Sequence, residues 1–434
     1  MQRVLEGVRI LAVEQYGAGP YGTQLLAELG AEVVKIEAPS MGGDVSRATG
    51  PYFLGEGDSQ FFQTFSRSKK SIALELKTPE GRATFEALVG TADAVVDNLR
   101  GDQPAKLKLT FEALKAINPA IVCAHLSAYG RGNSRESWPG YDYLMQAEAG
   151  FMTLTGEPDA PPTRFGLSIV DFMTGAVWAL GIVSAVLSAR RTGEGCDVDV
   201  SLFDVALHQT SYPAVWSMNE GHDVGRLPRG AHPSIAPSQL VRTKDGWGLF
   251  MCQTQKFWEI FCAMTGRSDL ASDPRFADIA SRWANLAALT EALDAQFATR
   301  TTNDWQAFFA GQVPFAPVRN LAEALDNPFV REVGMRDTID HPDRAQGLDM
   351  LACPIRINGQ RAPGIRAPKL GEHTSALMDA ALPPLRSGRR GPSAKPRVEG
   401  ARPGAELEPA PSTTPSAGRG PPSPRSGKAE GGIS

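Results

Sequence analysis

Asp171 is the residue in this chain best placed to do chemistry. It stands in Phe165-Gly-Leu-Ser-Ile-Val-Asp171-Phe-Met-Thr-Gly175, where an apolar run passes into the nearly uncharged stretch from Phe172 to Leu187. That stretch reads as a helix buried on most sides, with Asp171 at or near its N-cap. A carboxylate there accepts hydrogen bonds from free backbone N–H groups and is favoured by the helix dipole, so it stays ionised in a partly desolvated place. Plain capping accounts for an Asp at such a position. A carboxylate nucleophile needs the same setting, and the two readings separate only on the rest of the chain.

A second constellation points to different chemistry. Gly17-Ala-Gly19-Pro-Tyr-Gly22 fits G-x-G-x-x-G between a strand and a helix, and Glu37 closes the next strand, as the dinucleotide fingerprint requires. On spacing alone this is a site for NAD and the chain a dehydrogenase. Against that reading, Pro20 removes an N–H donor from the helix start where a pyrophosphate would sit. No downstream set of His, Arg and Asp suited to hydride transfer accompanies it.

The elements that must hold these residues alternate between strand and helix. Val8–Val13 is a short apolar strand, Tyr21–Leu29 a helix with Pro20 at its first turn and Gly30 at its end, and Ala31–Glu37 a second strand. The pattern continues with a strand over Lys70–Leu76, a helix opening at Thr78-Pro-Glu-Gly81 and running to Gly90, and strands at Ala94–Asp97 and Ile121–Leu126. Repeated βαβ units predict an α/β fold with a mostly parallel, doubly wound sheet. Beyond Gly221 the texture changes, with helical patches at Gln255–Thr265, Arg282–Arg300 and Thr302–Ala310, and the chain then returns through Val313–Val318 and Met350–Ile357.

A length of 434 residues implies more than one domain. A 42% apolar, 21% charged composition with net charge -4 is ordinary for a globular protein and gives no global reason to expect nucleic acid or an anionic membrane as partner. No stretch reads as a membrane span, and the N-terminus lacks a signal peptide's layout, so the expected location is cytoplasmic. Cys123, Cys196, Cys252, Cys262 and Cys353 are scattered without a C-x-x-C pair; they read as reduced, mostly core residues, with no metal site. From Arg386 to Ser434 the sequence is Pro, Gly, Ser and charge, with almost nothing to bury, so that tail is expected to be disordered.

Taken in order along the chain, these segments resemble the class III CoA-transferase family, which includes formyl-CoA, carnitine and succinyl-CoA-dependent dicarboxylate transferases. The resemblance rests on Gly-Val-Arg-Ile-Leu11 with Gly17-Ala-Gly-Pro20, Val34-Lys-Ile-Glu37 followed by Gly43-Asp44, Lys70–Gly81, Asp97-Asn-Leu99 and Ser127-Ala-Tyr-Gly130. It continues through Gly140-Tyr-Asp142 with Gln146, Asp171 itself, Arg191–Gly195, His232-Pro-Ser-Ile and Ala367–Thr374. It implies a large Rossmann-like domain formed by both ends of the chain (1–220 and 326–385), a smaller α+β domain (221–325), and a homodimer whose subunits interlock as rings.

The resemblance also assigns roles. Asp171 matches the family's nucleophile, which attacks an acyl-CoA thioester to give a mixed anhydride and then an enzyme–CoA thioester. Burial in apolar helix surroundings would keep water from hydrolysing either intermediate. Tyr141 and Gln146 fall where the family lines the acyl pocket and donates to a developing oxyanion. CoA is a substrate, with no permanently bound cofactor, and Pro20, Leu74, Lys77, Asn98, Leu99, Arg100, Lys106 and Tyr129 match positions that bind it. Gly17 stands where formyl-CoA transferases carry Gln, and a glycine-rich loop of theirs is missing between Glu220 and Leu240, which disfavours formate and oxalate. Ala38 replaces a common CoA-binding Arg, with Arg47 or Lys69 as candidate substitutes. Arg47, Arg164, Arg226 and Arg229 are the cations available for the second carboxylate of a dicarboxylic acid.

Acyl-CoA racemases of the same superfamily are the rival of a different reaction class. They pair a His with the Asp matching Asp171, and here Tyr141 takes the place of that His. A phenol with a pKa near 10 is a poor general base at neutral pH. A CoA-binding protein without catalysis is the third reading.

Overall fold

The computed structural model describes residues Gln2–Ala381, so the expected disordered tail lies outside the described residues. Six strands form one fully parallel sheet: β1 (Arg9–Val13), β2 (Glu32–Glu37), β3 (Lys70–Ala73), β4 (Ala94–Asp97), β5 (Val122–Ser127) and β6 (Cys196–Ser201). Their spatial order is β3-β2-β1-β4-β5-β6, which is the doubly wound order, with the switch point between β1 and β4. The central strands carry Ile10, Leu11, Val33, Val34, Val95, Val96, Val122 and Cys123, all buried, because helices cover both faces.

One face is covered by the helices Ala18–Glu28 and Ile169–Thr192, whose Leu26, Trp178, Ile182 and Val186 join a core with Ile10, Val33 and Val122. The other face holds Phe85, Leu88 and Val89 of the helix Pro79–Val89 against Leu11, Val34 and Ile72, with Leu377 of the last described helix, Thr374–Ala381. The chain's return is fixed by backbone pairing: His373 N–H donates to Ser71 O at 2.9 Å, and Ala73 N–H to the Thr374 hydroxyl at 3.0 Å.

Ile169–Thr192 begins three residues before the expected start and runs 24 residues, ending on Gly193 at φ 78°, a left-handed C-terminal cap that glycine adopts without strain. Contrary to the sequence expectation, it is long and apolar enough to cross a membrane, with mean hydropathy 1.8. A core helix passes the same test, and its Val170, Trp178 and Ile182 are buried against the first helix and the sheet.

Two further sheets lie in the second half of the chain. Strands β7 (Ser238–Arg242), β8 (Trp247–Met251) and β9 (Phe315–Pro317) are antiparallel. With the helices Gln255–Thr265, Leu286–Phe297 and Thr302–Phe309 they enclose a separate aromatic core of Phe250, Trp258, Phe261, Phe297, Trp305 and Phe309. The expected helix over Arg282–Arg300 is two helices, because Asn285 leaves the helical region at φ -111° and ψ 32°. Strands β10 (Arg336–His341) and β11 (Arg344–Leu351) form a hairpin. Four of the five cysteines are buried thiols, and Cys196 is exposed.

Candidate active site

A cleft of about 230 Å³ opens at the carboxyl ends of the strands, between β1 and β4, where doubly wound sheets place their ligands. Its walls are Gln15–Ala18 after β1, Asn98–Arg100 after β4, Leu126–Ala128 at the end of β5, Trp138–Tyr141, Leu202 and Asp171. Asn98 ties the two sides of the switch point together, since its amide accepts from Gln15 N–H at 2.9 Å and donates to Gln15 O at 2.7 Å.

Asp171 is the third residue of its helix rather than the cap, because the helix starts at Ile169 with Ser168 as N-cap. The cap comes from outside: Asp142 Oδ2 accepts the Asp171 N–H at 2.9 Å. Among the described residues no donor bonds the Asp171 carboxyl. Burial, and then the charge of Asp142, push its pKa up to about 7. It is therefore a carboxyl kept near its ionisation point, with both oxygens unengaged beside an open cleft.

The glycines of the first turn are explained by this arrangement. A Cβ on Gly17 would lie 2.9 Å from Asp171 Oδ2, one on Gly19 would lie 2.8 Å from Asn98 Cβ, and one on Gly22 would lie 2.5 Å from Gly175 O. All three positions of the G-x-G-x-x-G pattern are thus empty of side chain because another part of the protein occupies the space. Glu37, the residue that the dinucleotide reading would give to a ribose, is bound by Arg47 through bonds of 2.8 Å to each carboxylate oxygen.

The residues singled out from the sequence divide into three groups. Gly17, Asn98, Leu99, Arg100 and Tyr141 line the cleft with Asp171. Tyr141 is 68% exposed there, while Arg100 holds Asp102 through bonds of 2.5 and 3.0 Å. Lys106 pairs with the same Asp102 and lines an adjoining depression with Arg131. Tyr129 packs edge-on to Trp138, with centroids 6.0 Å apart, and donates its hydroxyl to Glu148.

The third group sits away from the cleft. Arg47 is a correction: it is buried, stacked 3.8 Å over Phe62, and committed to Glu37 and Pro368 O, so it offers nothing to a substrate. Lys69 is likewise engaged, its ammonium donating to Glu14, Pro20 O and Thr23. Gln146 is also corrected, because it is fully buried. Its amide donates to Asp142 Oδ1 at 2.6 Å and Leu167 O at 3.1 Å, its carbonyl accepts from Phe165 N–H, and no donor remains for an oxyanion. Pro20 is buried in the first turn of its helix, Leu74 is a core residue, and Lys77 is exposed outside the cleft. Arg164 lies over the Tyr143 ring at 4.1 Å. Arg229 is paired with Asp294, and Arg226 donates to Pro161 O.

Sequence reasoning passed over Tyr16, held at φ 71° on the cleft wall, and Asp142. A signal for Asp142 existed, since Asp142 and Gln146 are a polar pair four residues apart on one short helix. No histidine lines the cleft among the described residues. His125 is buried on β5, bonded to Asp97 at 2.6 Å and Asp197 at 3.0 Å.

The model of CoA-transferase family III matches residues 5–374 of this chain. A succinyl-CoA:mesaconate CoA-transferase of Haloarcula hispanica is 33% identical over 386 residues, which cover 87% of this chain and 96% of that enzyme. An acetyl-CoA:oxalate CoA-transferase of Acetobacter aceti is 33% identical, covering 86% of this chain and 94% of the relative. Among solved structures, a CaiB/BaiF family protein from Brucella suis superposes with a TM-score of 0.75 at 32% identity, over 88% of this chain and 100% of that one. The chain belongs to CoA-transferase family III and is a CoA-transferase.

Proposed function

We propose that the protein moves CoA between an acyl-CoA and a free dicarboxylic acid by covalent catalysis at Asp171. The observation that carries this reading is the Asp171 carboxyl itself, which has no donor bonded to it among the described residues and opens on the cleft at the sheet's switch point. An Asp171 oxygen attacks the thioester carbonyl, the C–S bond breaks, and CoA leaves as thiolate from a mixed anhydride. The thiolate then attacks the aspartyl carbonyl, releasing the first acid and leaving an aspartyl–CoA thioester. The incoming carboxylate attacks that thioester, and the freed thiolate attacks the acyl side of the new anhydride, which restores Asp171. A charge spread over a tetrahedral oxyanion is best met by fixed donors, and the backbone N–H groups of Gly17, Ala18, Gly140 and Tyr141, which line the cleft, are the candidates, with the Tyr141 hydroxyl.

Arg100, Lys106 and Arg131 would hold the phosphates of CoA, with Asn98, Leu99 and Tyr129 along its arm. With Gly17 in place of the Gln of formyl-CoA transferases, no side chain separates the first loop from Asp171, whose Oδ2 would lie 2.9 Å from a Cβ there. The similarity to an oxalate enzyme equals that to a mesaconate enzyme, both 33% identical, so identity does not rank the dicarboxylates, and the expectation against oxalate rests on Gly17 and the missing glycine-rich loop between Glu220 and Leu240. A racemase would need a second base beside Asp171, and among the described residues the cleft is lined by Tyr141 and by no histidine.

The test is exchange between succinyl-CoA and a panel of free acids, with CoA products separated by chromatography. Asp171→Asn is expected to lower transfer on the order of 10⁴-fold or more while leaving the fold intact, and hydroxylamine is expected to mark Asp171 in the acyl-CoA-treated wild type. Substantial exchange by the Asn variant, with deamidation excluded by mass, would sink the covalent mechanism.

The same reading includes two domains, 1–220 with 326–385 and 221–325, and an interlocked homodimer. The separate aromatic core around Phe297 supports the first. Support for the second is an apolar helix face: Leu180 and Leu187, seven residues apart on the helix Ile169–Thr192, are each 68% exposed, as a surface that meets a partner would be. Sedimentation is expected to show a dimer that persists on dilution, and a monomer appearing as concentration falls would overturn it.

A further inference from the structure

The first N–H groups of any helix lack partners within it, and acidic side chains in the first turn are drawn to them. Asp171 occupies that turn, and Ser168, the N-cap residue, makes no side-chain bond to it. Left to itself, the Asp171 carboxyl would fold back onto its own helix. Its lone pairs would then be engaged and its charge stabilised, both of which blunt a nucleophile. In the structure that place is taken: Asp142 Oδ2 accepts the Asp171 N–H at 2.9 Å.

Asp142 is held for the purpose. It is 3% exposed, and Gln146 Nε2 donates to its other oxygen at 2.6 Å. Gln146 is itself fixed by Phe165 N–H at 2.9 Å and Leu167 O at 3.1 Å, so the loop that leads into the nucleophile's helix and the helix Asp142–Glu148 are locked by one amide. We propose that Asp142 is a positioning residue for the transfer reaction: it caps the Asp171 helix in place of Asp171 and thereby leaves the nucleophile's carboxyl free of donors and facing the cleft. This rests on the assignment of Asp171 as nucleophile made above.

A second consequence follows from charge. Two carboxylates share one partly buried region, and forming an anhydride or thioester removes the charge from Asp171 but not from Asp142. Repulsion between them is relieved by acylation, so the free enzyme is raised relative to the acylated one. The other titratable or charged groups around the site are Tyr16 after β1, Arg100 after β4, Tyr141 before the Asp142 helix and Arg164 in the loop that follows it. None of these acts on Asp171 as Asp142 does, whose charge adds to burial in raising it.

The experiment uses Asp142→Asn and Asp142→Ala in the full-length protein, with succinyl-CoA and mesaconate as probes. It has two readouts: steady-state transfer, and the pH dependence of carbodiimide labelling of Asp171 followed by peptide mass. The Ala variant, in which Asp171 turns to cap its own helix, is expected to lose about 100-fold in kcat with KM for succinyl-CoA within about threefold of wild type. The Asn variant keeps an acceptor for the Asp171 N–H and is expected to stay within about tenfold of wild type in kcat. Its labelling midpoint should fall by about one pH unit, since the like charge is gone. A folded Ala variant with wild-type kcat, an unmoved midpoint in the Asn variant, or a wild-type midpoint in the ordinary carboxylate range each overturns the proposal. If the Ala variant does not fold, the two labelling results decide. Labelling needs no turnover, so a shifted midpoint in a protein that fails to transfer CoA would break the transferase reading and leave the capping role standing.

Discussion

Two groups of sequestered carboxylates lie within a few residues of each other, and they are treated in opposite ways. Under the β1 and β2 strand ends, Glu14, Glu37 and Asp44 are buried among Lys35, Arg47 and Lys69. Lys35 lies 2.7 Å from Asp44, Lys69 lies 2.7 Å from Glu14, and Arg47 lies 2.8 Å from Glu37. Burial alone would raise Glu37 and Asp44; Arg47 and Lys35 for the first, and Lys35 and Ser46 for the second, hold both below the usual carboxylate range. At Asp171 the same burial goes unanswered, Asp142 adds to it, and the carboxyl rises to about 7. The paired set fixes the loop that carries Tyr16 and Gly17, as Tyr16 N–H donates to Asp44 at 3.0 Å. Structural carboxylates here are those with partners, and the one proposed to react is the carboxyl denied them.

The largest effect should come from breaking the paired set. Arg47→Ala leaves Glu37 buried with its main partner gone, and is expected to cost about 3–5 kcal/mol of stability, read as a fall in denaturation midpoint. Activity per folded molecule should survive, because Arg47 does not reach the cleft.

A smaller effect of opposite sign is expected at Asp171. Its folded pKa of about 7 lies above the 3.8 of an ordinary aspartate, so the folded state binds the proton more tightly than the unfolded chain. Stability is therefore undiminished below the unfolded value and falls as pH rises between the two. Asp171→Asn should stabilise the inactive protein by about 1–2 kcal/mol at pH 8, with the difference vanishing near pH 4. Equal melting curves for the two proteins at pH 8 would show that Asp171 carries no such strain.

Smallest is the exposed pair at the cleft rim. Lys106→Ala should leave the melting temperature where it was, since solvent-exposed ion pairs contribute little, yet raise KM for acyl-CoA several-fold. A change in stability without a change in KM would place Lys106 with the structural set.

Part of this was legible in the sequence. The βαβ units were readable because their apolar runs are short, continuous and punctuated by Gly30, Pro79 and Gly90, and Asp171 stood out as a lone charge against an apolar helix. Strand β6 was missed because Cys-Asp-Val-Asp-Val-Ser sits at the sheet edge and alternates polar with apolar residues, unlike the buried strands. The start of the Asp171 helix was misplaced for a physical reason: its cap is a side chain 29 positions earlier, and no local rule reports a partner at that distance. Arg47 and Gln146 were assigned to ligands because a cation and an amide near a site look available until their partners are seen.

The seam between the helices Ala18–Glu28 and Ile169–Thr192 has a consequence for evolution. Backbone meets backbone there, with Gly175 as close to Ala18 O as Gly22 is to Gly175 O, each at 2.5 Å from an added Cβ. One inserted methyl group would drive the two helices apart and carry Asp171 off the loop it abuts, whatever happened elsewhere in the cleft. Substrate preference can thus drift through Tyr16, Trp138 or Tyr141 while the seam admits no variation at all. A glycine spacing that looks like a nucleotide fingerprint would then be inherited for a reason unrelated to nucleotides, as the gauge that keeps Asp171 at a fixed distance from the loop it abuts.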